Sequence, residues 1–172
     1  MNGLDVGSLL IRLILGVVMF AHGWNHAFRG GKLPGTGRWF DSIGIKPGWL
    51  HARLATVTEL IVGPMLALGL LTPLAAAGVV GTMGVAFIAN HLKNGFFIFR
   101  PGEGYEYVLT LIVTAIALGA LGGGRISLDH ALGIDDDLQG VGGALLTLLV
   151  GGGGAAIVLA TSWRRPPKPA AS

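Results

Sequence analysis

Five times along this chain the sequence runs apolar for about the thickness of a lipid bilayer. A spanning helix needs about 20 mostly apolar residues, and runs of that order fall at about 4–27, 50–68, 73–91, 105–120 and 138–162. In hydrocarbon the backbone must satisfy its own polar groups, so each run is expected to be a helix. The expected fold class is therefore all-α, an integral membrane bundle. Charge agrees: hydrophobic residues make up 52% of the 172 and charged residues 12%, about half the charged share of an ordinary soluble domain. Too little charge is left to cover a water-facing globule. Many of the 30 glycines lie inside the apolar runs, where they permit close helix packing in a bilayer.

Punctuation between the runs is legible. Gly63-Pro64 predicts a kink in the second run. Gly69 can close that helix, and Thr72 can cap the next with Pro73 at its first position. The fifth run is glycine-rich and uncharged, a poor helix in water but tolerated in lipid. Residues 164–172 are proline-rich and charged, and are expected to be disordered. The first five residues carry no base and Arg12 interrupts the first run, so it reads as a span and not as a cleaved signal. Five crossings put only Arg125 on one side. The other side collects Arg29, Lys32, Arg38, Lys46, Arg53, Lys93, Arg100, Arg164, Arg165 and Lys168. By the positive-inside rule the N-terminus is expected outside and the C-terminus in the cytoplasm.

Several chemistries are excluded or unsupported. The chain has no cysteine, hence no disulfide, thiol catalysis or cysteine-held iron–sulfur cluster. No basic stripe with interleaved aromatics points to nucleic acid. There is no metalloprotease His-Glu-x-x-His and no phosphate-binding glycine loop, and no metal site is expected.

Ionisable residues within a span are expensive and need a partner or a wet cavity. Arg12 lies about eight residues into the first run and Glu59 about nine into the second, from opposite faces. At 1.5 Å per residue both sit roughly 12–14 Å deep in a core near 30 Å thick. The expectation is an Arg12–Glu59 ion pair near the midplane, either functional or merely fixing helix register. A second cluster gathers toward the basic face: His22, His91 and Glu106, with Glu59 a few turns above. Such groups carry protons, bind haem or hydrogen-bond a quinone carbonyl. His26 shares a helix face with His22 but, nearest the loop, is read as a snorkelling interface residue.

Taken in order, these pieces resemble the DoxX family of small bacterial membrane proteins. The first helix has Arg12 within Leu-Ile-Arg-Leu-Ile-Leu-Gly and ends on Ala21-His22-Gly23. Glu59 leads an apolar run to a Gly-Leu-Leu-Thr turn at 69–72. His91 precedes Asn94-Gly95-Phe96-Phe97, Gly104-Tyr105-Glu106-Tyr107 opens the fourth helix, and Gly-Arg-x-Ser-Leu-Asp follows at 124–129. Two features depart from the family pattern. Asn25-His26 stand where Lys or Gln is common after His-Gly, and the fifth helix and basic tail are additions to a four-helix core. The resulting division is a four-helix domain at 1–132, an additional transmembrane helix at 133–163 and a tail at 164–172. The resemblance implies a membrane subunit or partner in a respiratory or oxidative-stress oxidoreductase complex. The related DoxD family resembles the membrane subunit of a thiosulfate:quinone oxidoreductase.

Three functions follow as expectations. The first is a quinone-interacting subunit, with the quinone head among His22, His91 and Glu106 and with Glu59 relaying protons; haem on His22 and His91 is the lesser cofactor alternative. The second is a non-enzymatic scaffold, docking protein partners or further copies through small-residue faces (Gly78, Gly81, Gly84; Gly119 with Gly123; the fifth helix). The third is a small transporter or proton path.

Overall fold

A repeat of three to four residues marks the face each helix turns inward. On α1 (Gly3–Phe28) the buried positions are Asp5, Ser8, Arg12, Leu15, Gly16, Met19 and Gly23, while Leu10, Ile14 and Val17 point outward, as a lipid-facing surface would. The structure, a computed structural model, describes residues 2–166. After α1 come α2 (Lys32–Ser42), α3 (Gly48–Leu68) and α4 (Thr72–Ala86). The α4 helix runs on through a π turn, Phe87–His91, and a 3-10 turn, Leu92–Asn94. Then follow α5 (Glu106–Leu121), a single-turn α6 (Leu128–Ala131) and α7 (Gly140–Ser162). The described residues contain no strand, only one isolated bridge between Ile45 and Trp163.

Among the described residues, three helices are long and apolar enough to cross a membrane: Gly3–Phe28, Thr72–Asn94 and Gly140–Ser162. Of the other two expected spans, α5 has 16 residues and α3 carries His51, Arg53 and Glu59 along its length. The α2 helix was not apparent as an apolar run, because seven of its 11 residues are polar or glycine.

Antiparallel α1 and α3 approach through glycine. A Cβ on Gly16 would lie 2.7 Å from the Gly63 carbonyl oxygen, and one on Gly23 would lie 2.9 Å from Leu60 Cγ. Pro64 lies inside α3, which continues to Leu68. The α4 helix is central, packed on α3, α5 and α7, whereas α3 and α7 make little contact with each other. The small-residue faces expected to dock partners are taken up inside the bundle. Gly78 faces Val62, Gly81 and Gly84 face Gly151 and Ala155 of α7, and Gly119 faces Thr147. Thr147 Oγ1 also donates to the Pro73 carbonyl at 2.9 Å. Thus α7 packs on its own bundle, with Gly152 and Gly153 facing open space.

At the end of the bundle holding the N-terminus, buried polar groups clamp the α3–α4 turn. Gly69 ends α3 in the left-handed conformation (φ +67°), as expected. Arg12, fully buried, donates from Nη1 to the carbonyls of Leu66 (3.4 Å) and Ala67 (3.2 Å), and from Nη2 to that of Ile126. It thereby serves the last carbonyls of α3, which have no partner within the helix. Thr72 does not act as the cap of α4. Asp129 reaches across instead, accepting from the backbone N–H of Leu71 (2.6 Å) and Thr72 (2.9 Å) and from Thr72 Oγ1 (2.6 Å). This holds Leu71 at φ +47°, a conformation that side chains disfavour. Asp5 accepts from the Arg125 N–H at 2.9 Å, and Ser8 donates to the Gly122 carbonyl at 2.7 Å. The Gly-Arg-x-Ser-Leu-Asp segment is thus the outer half of this clamp.

At the opposite end, Asp41 of α2 accepts from the first N–H of α3, Gly48, at 2.9 Å. The close of α7 is pinned there too. Arg164 N–H donates to the Gly44 carbonyl and Lys46 N–H to that of Ser162, both at 2.8 Å, and Trp163 Nε1 donates to Ile43 at 3.1 Å. Arg164 is therefore held, contrary to the expected start of a disordered tail; residues 167–172 of that tail lie outside the described residues. All four tryptophans (24, 39, 49 and 163) gather at this end, the composition of a membrane–water interface.

Candidate functional site: a cavity with one polar end

The space left where α3 and α7 diverge over α4 is a cavity of about 600 Å³. Its walls are mostly apolar, and its polar groups collect at the α2 end. Of the four residues expected to form a site, the structure brings three to it: His22, Glu59 and His91. His26, His51 and Tyr107 join them. Among the described residues no lysine or arginine lines it.

Glu59 is the buried charge of the set, 3% exposed. It does not pair with Arg12. Glu59 packs beside Gly23 of α1 whereas Arg12 reaches Gly69 at the end of α3, so the two levels are 11 residues of α1 apart, about 16 Å, and on antiparallel helices their side chains lean further apart. The partner of Glu59 is His26: Nδ1 and Oε2 are 3.0 Å apart. The two atoms are in contact, yet neither of these buried atoms makes a hydrogen bond to a described group. Hydrogen-bonding capacity is left over, an unusual condition for buried polar atoms. His26 is thus no snorkelling residue; its side chain is 16% exposed. The signal available in the sequence was its position four residues beyond His22, on the helix face that continues from Gly23 to Glu59.

His91 stands at the end of the π turn, a feature often found at functional positions. Its Nδ1 lies 3.0 Å from the Glu103 carbonyl; a carbonyl can only accept, so Nδ1 carries the proton. Nε2 faces the Asn90 amide at 3.4 Å. Both nitrogens are engaged, which weighs against His91 as an axial haem ligand. The 95–105 loop that supplies Glu103 doubles back on itself. Tyr105 and Glu106 N–H groups donate to the carbonyls of Gly95 (3.0 Å) and Phe96 (2.9 Å). A Cβ on Gly104 would meet three carbonyl oxygens within 2.5 Å. The Asn-Gly-Phe-Phe and Gly-Tyr-Glu-Tyr motifs therefore build the loop that orients His91.

Glu106 does not reach the cavity. Its Oε2 accepts from the Ile98 N–H at 3.1 Å, and it lies with Leu109, Thr110 and Val113 on another face of α5. One residue on, a turn of about 100° brings Tyr107 to the cavity in its place. His51 and Tyr107 carried no signal in the sequence beyond their residue types. Trp39 and Phe40 complete the polar end from α2, and the Phe40 ring meets His26 edge-on with centroids 6.4 Å apart.

Fold and site together define a small α-helical membrane protein with an apolar cavity closed at one end by a histidine–carboxylate cluster. Comparison with known proteins places it more narrowly. The DoxX family model matches residues 7–92. The chain is 32% identical over 125 residues to the protein named "Putative oxidoreductase CatD" of Bacillus subtilis (strain 168), covering 73% of this chain and 86% of that one. The chain belongs to the DoxX family. No solved structure matches it.

Proposed function

We propose that the cavity binds the head of a membrane quinone, and that this protein is the quinone-holding subunit of an oxidoreductase whose electrons come from a partner. The observation that carries the reading is Glu59 with His26: two ionisable groups whose facing atoms are buried and have unused hydrogen-bonding capacity, lining a mostly apolar cavity. The site fits such a head, since ligand pockets of this size combine apolar walls with a few convergent polar groups. When bound, a quinone supplies a two-electron, two-proton acceptor. Glu59 and His26 hold protons where the head would take them up, and Tyr107 and His22 offer further hydrogen bonds. The chain has no cysteine, so its own thiols supply no electrons, and a soluble partner at the basic α2 end is the proposed donor. That end is taken as cytoplasmic from its lysine and arginine excess. The name of the Bacillus relative, a putative oxidoreductase, agrees with this class of role.

The test is quinone content and quinone-linked turnover of protein purified in mild detergent. Wild type should carry extractable quinone, and Glu59→Gln should lower turnover about 100-fold or more, the scale of a lost proton-transfer group. Full turnover in Glu59→Gln and His26→Ala would defeat the proposal and return the molecule to the scaffold reading.

A further inference from the structure

The cavity is longer than a head group needs. On α4 its lining begins at Leu74, and Val62 of antiparallel α3 meets Gly78, which sets Glu59 level with about Gly81, roughly 10 Å from Leu74 at the helical rise. Over that length the walls come from α3 (Val62, Met65) and α7 (Val150, Gly151). The lining hydroxyls fall at the Glu59 end, Thr58 beside Glu59 and Thr82 returned to the Gly78 carbonyl at 2.9 Å, so the stretch toward Leu74 is apolar. It is also open at the side: the lining residues Leu54, Leu74 and Val150 are 46–52% exposed, on helices whose outer surfaces are apolar.

We infer that the site takes a long-chain amphiphile from within the bilayer. Its single apolar chain lies along α4 between α3 and α7, with an uncharged, hydrogen-bonding head at Glu59 and His26. This deepens the quinone proposal and rests on it. Two observations select the ligand. Polar and apolar lining are segregated along one axis, which matches a head joined to a chain and not a compact polar solute. The head end holds Glu59 and Glu103 but neither lysine nor arginine, leaving histidines as its only basic groups, so a phosphate or carboxylate head would meet like charge with no permanent countercharge. Fatty acids and acidic phospholipids are thereby disfavoured against a polyprenyl quinone. The α7 helix then serves as the second wall of the chain groove.

The test compares two quinones with the same head, one bearing a single isoprene unit and one a long polyprenyl chain, by equilibrium binding to the full-length protein in nanodiscs. Leu74 lines the cavity at the end far from Glu59 and is half-exposed, so Leu74→Trp can narrow the chain groove without entering the head site. Leu149→Trp, exposed and outside the lining, is the matched control. Leu74→Trp should weaken the long-chain quinone about tenfold, in keeping with one displaced apolar contact of side-chain size, and leave the single-isoprene quinone within about twofold. Leu149→Trp should change neither, and Glu59→Gln should weaken both. Unchanged long-chain binding in Leu74→Trp, with Glu59→Gln still impaired, would overturn the groove and leave the head site standing. Failure of wild type to bind either quinone would overturn both.

Discussion

Removing the Arg12 guanidinium would strip the carbonyls of Leu66, Ala67 and Ile126 of their donor inside a buried clamp. Each orphaned buried acceptor costs about 1–3 kcal/mol, so Arg12→Gln should lower stability by about 2–4 kcal/mol in a thermal melt in detergent. Quinone content at the other end of the bundle should survive at temperatures where the variant is folded. Asp129→Asn should act on the same turn, through the N–H groups of Leu71 and Thr72. The double variant should be less destabilised than the sum of the two, because both side chains hold one turn. At Asp135 the hydrogen bond from His130 (2.7 Å) holds the carboxyl below its usual range. A lowered folded-state value contributes above the unfolded-state value and is lost as pH falls through the folded one. Acidification should therefore lower the amide protection factors, exchange measured against the intrinsic rate at each pH, at Gly133 and Ile134, while the exposed position leaves the global melting temperature unmoved. A large drop in melting temperature over that acid range with no change in local exchange would refute this assignment.

Among the elements, α1 and α3 depend on glycine in a way α7 only partly does. At Gly16 the added methyl of Gly16→Ala would press on the Gly63 carbonyl at 2.7 Å, and backbone on both sides leaves little room to yield. Overpacking of this kind costs about 1–3 kcal/mol, and the variant should melt lower by that amount. Gly152→Ala faces open space and should be neutral or slightly stabilising, since alanine loses less freedom in a helix. If Gly16→Ala and Gly152→Ala melted alike, the close α1–α3 approach would be wrong. The α2 helix, packed against α3 and starting it through Asp41, brings two aromatic residues to the polar end of the cavity. Its contribution is local placement, not a further crossing.

For the whole molecule, the two ends have different characters: a polar clamp with few aromatics at one, and tryptophans, bases and the cavity's histidines at the other. The absence of cysteine makes orientation directly measurable. Single-cysteine variants at Asp137, beyond the clamp, and at Ser42, at the end of α2, can be probed with a membrane-impermeant maleimide. The proposed orientation expects Asp137→Cys to label on intact cells and Ser42→Cys only after permeabilisation; the reverse pattern would invert the protein in the membrane.

Hydropathy and helix punctuation in the sequence alone determined the membrane class, a helix in each of the five apolar runs and the stop at Gly69, because lipid forces backbone pairing within each segment whatever the neighbours are. The family was legible too, since its motifs are local. Partnerships across the bundle were not. Depth counted from the ends of the apolar runs suggested Arg12 with Glu59, but the contacts of Gly16 and Gly23 set the register of α1 against α3 and leave the two about 16 Å apart along the bundle. His26 looked like an interface residue until α3 brought Glu59 beside it, and Glu106 looked inward until one step of helical rotation exchanged it for Tyr107. The glycine faces, legible as packing surfaces, did not reveal whether they packed on this chain or another. Only the tertiary structure decided these points, because each depends on the rotation or axial shift of a helix relative to a neighbour, which no spacing within one segment records.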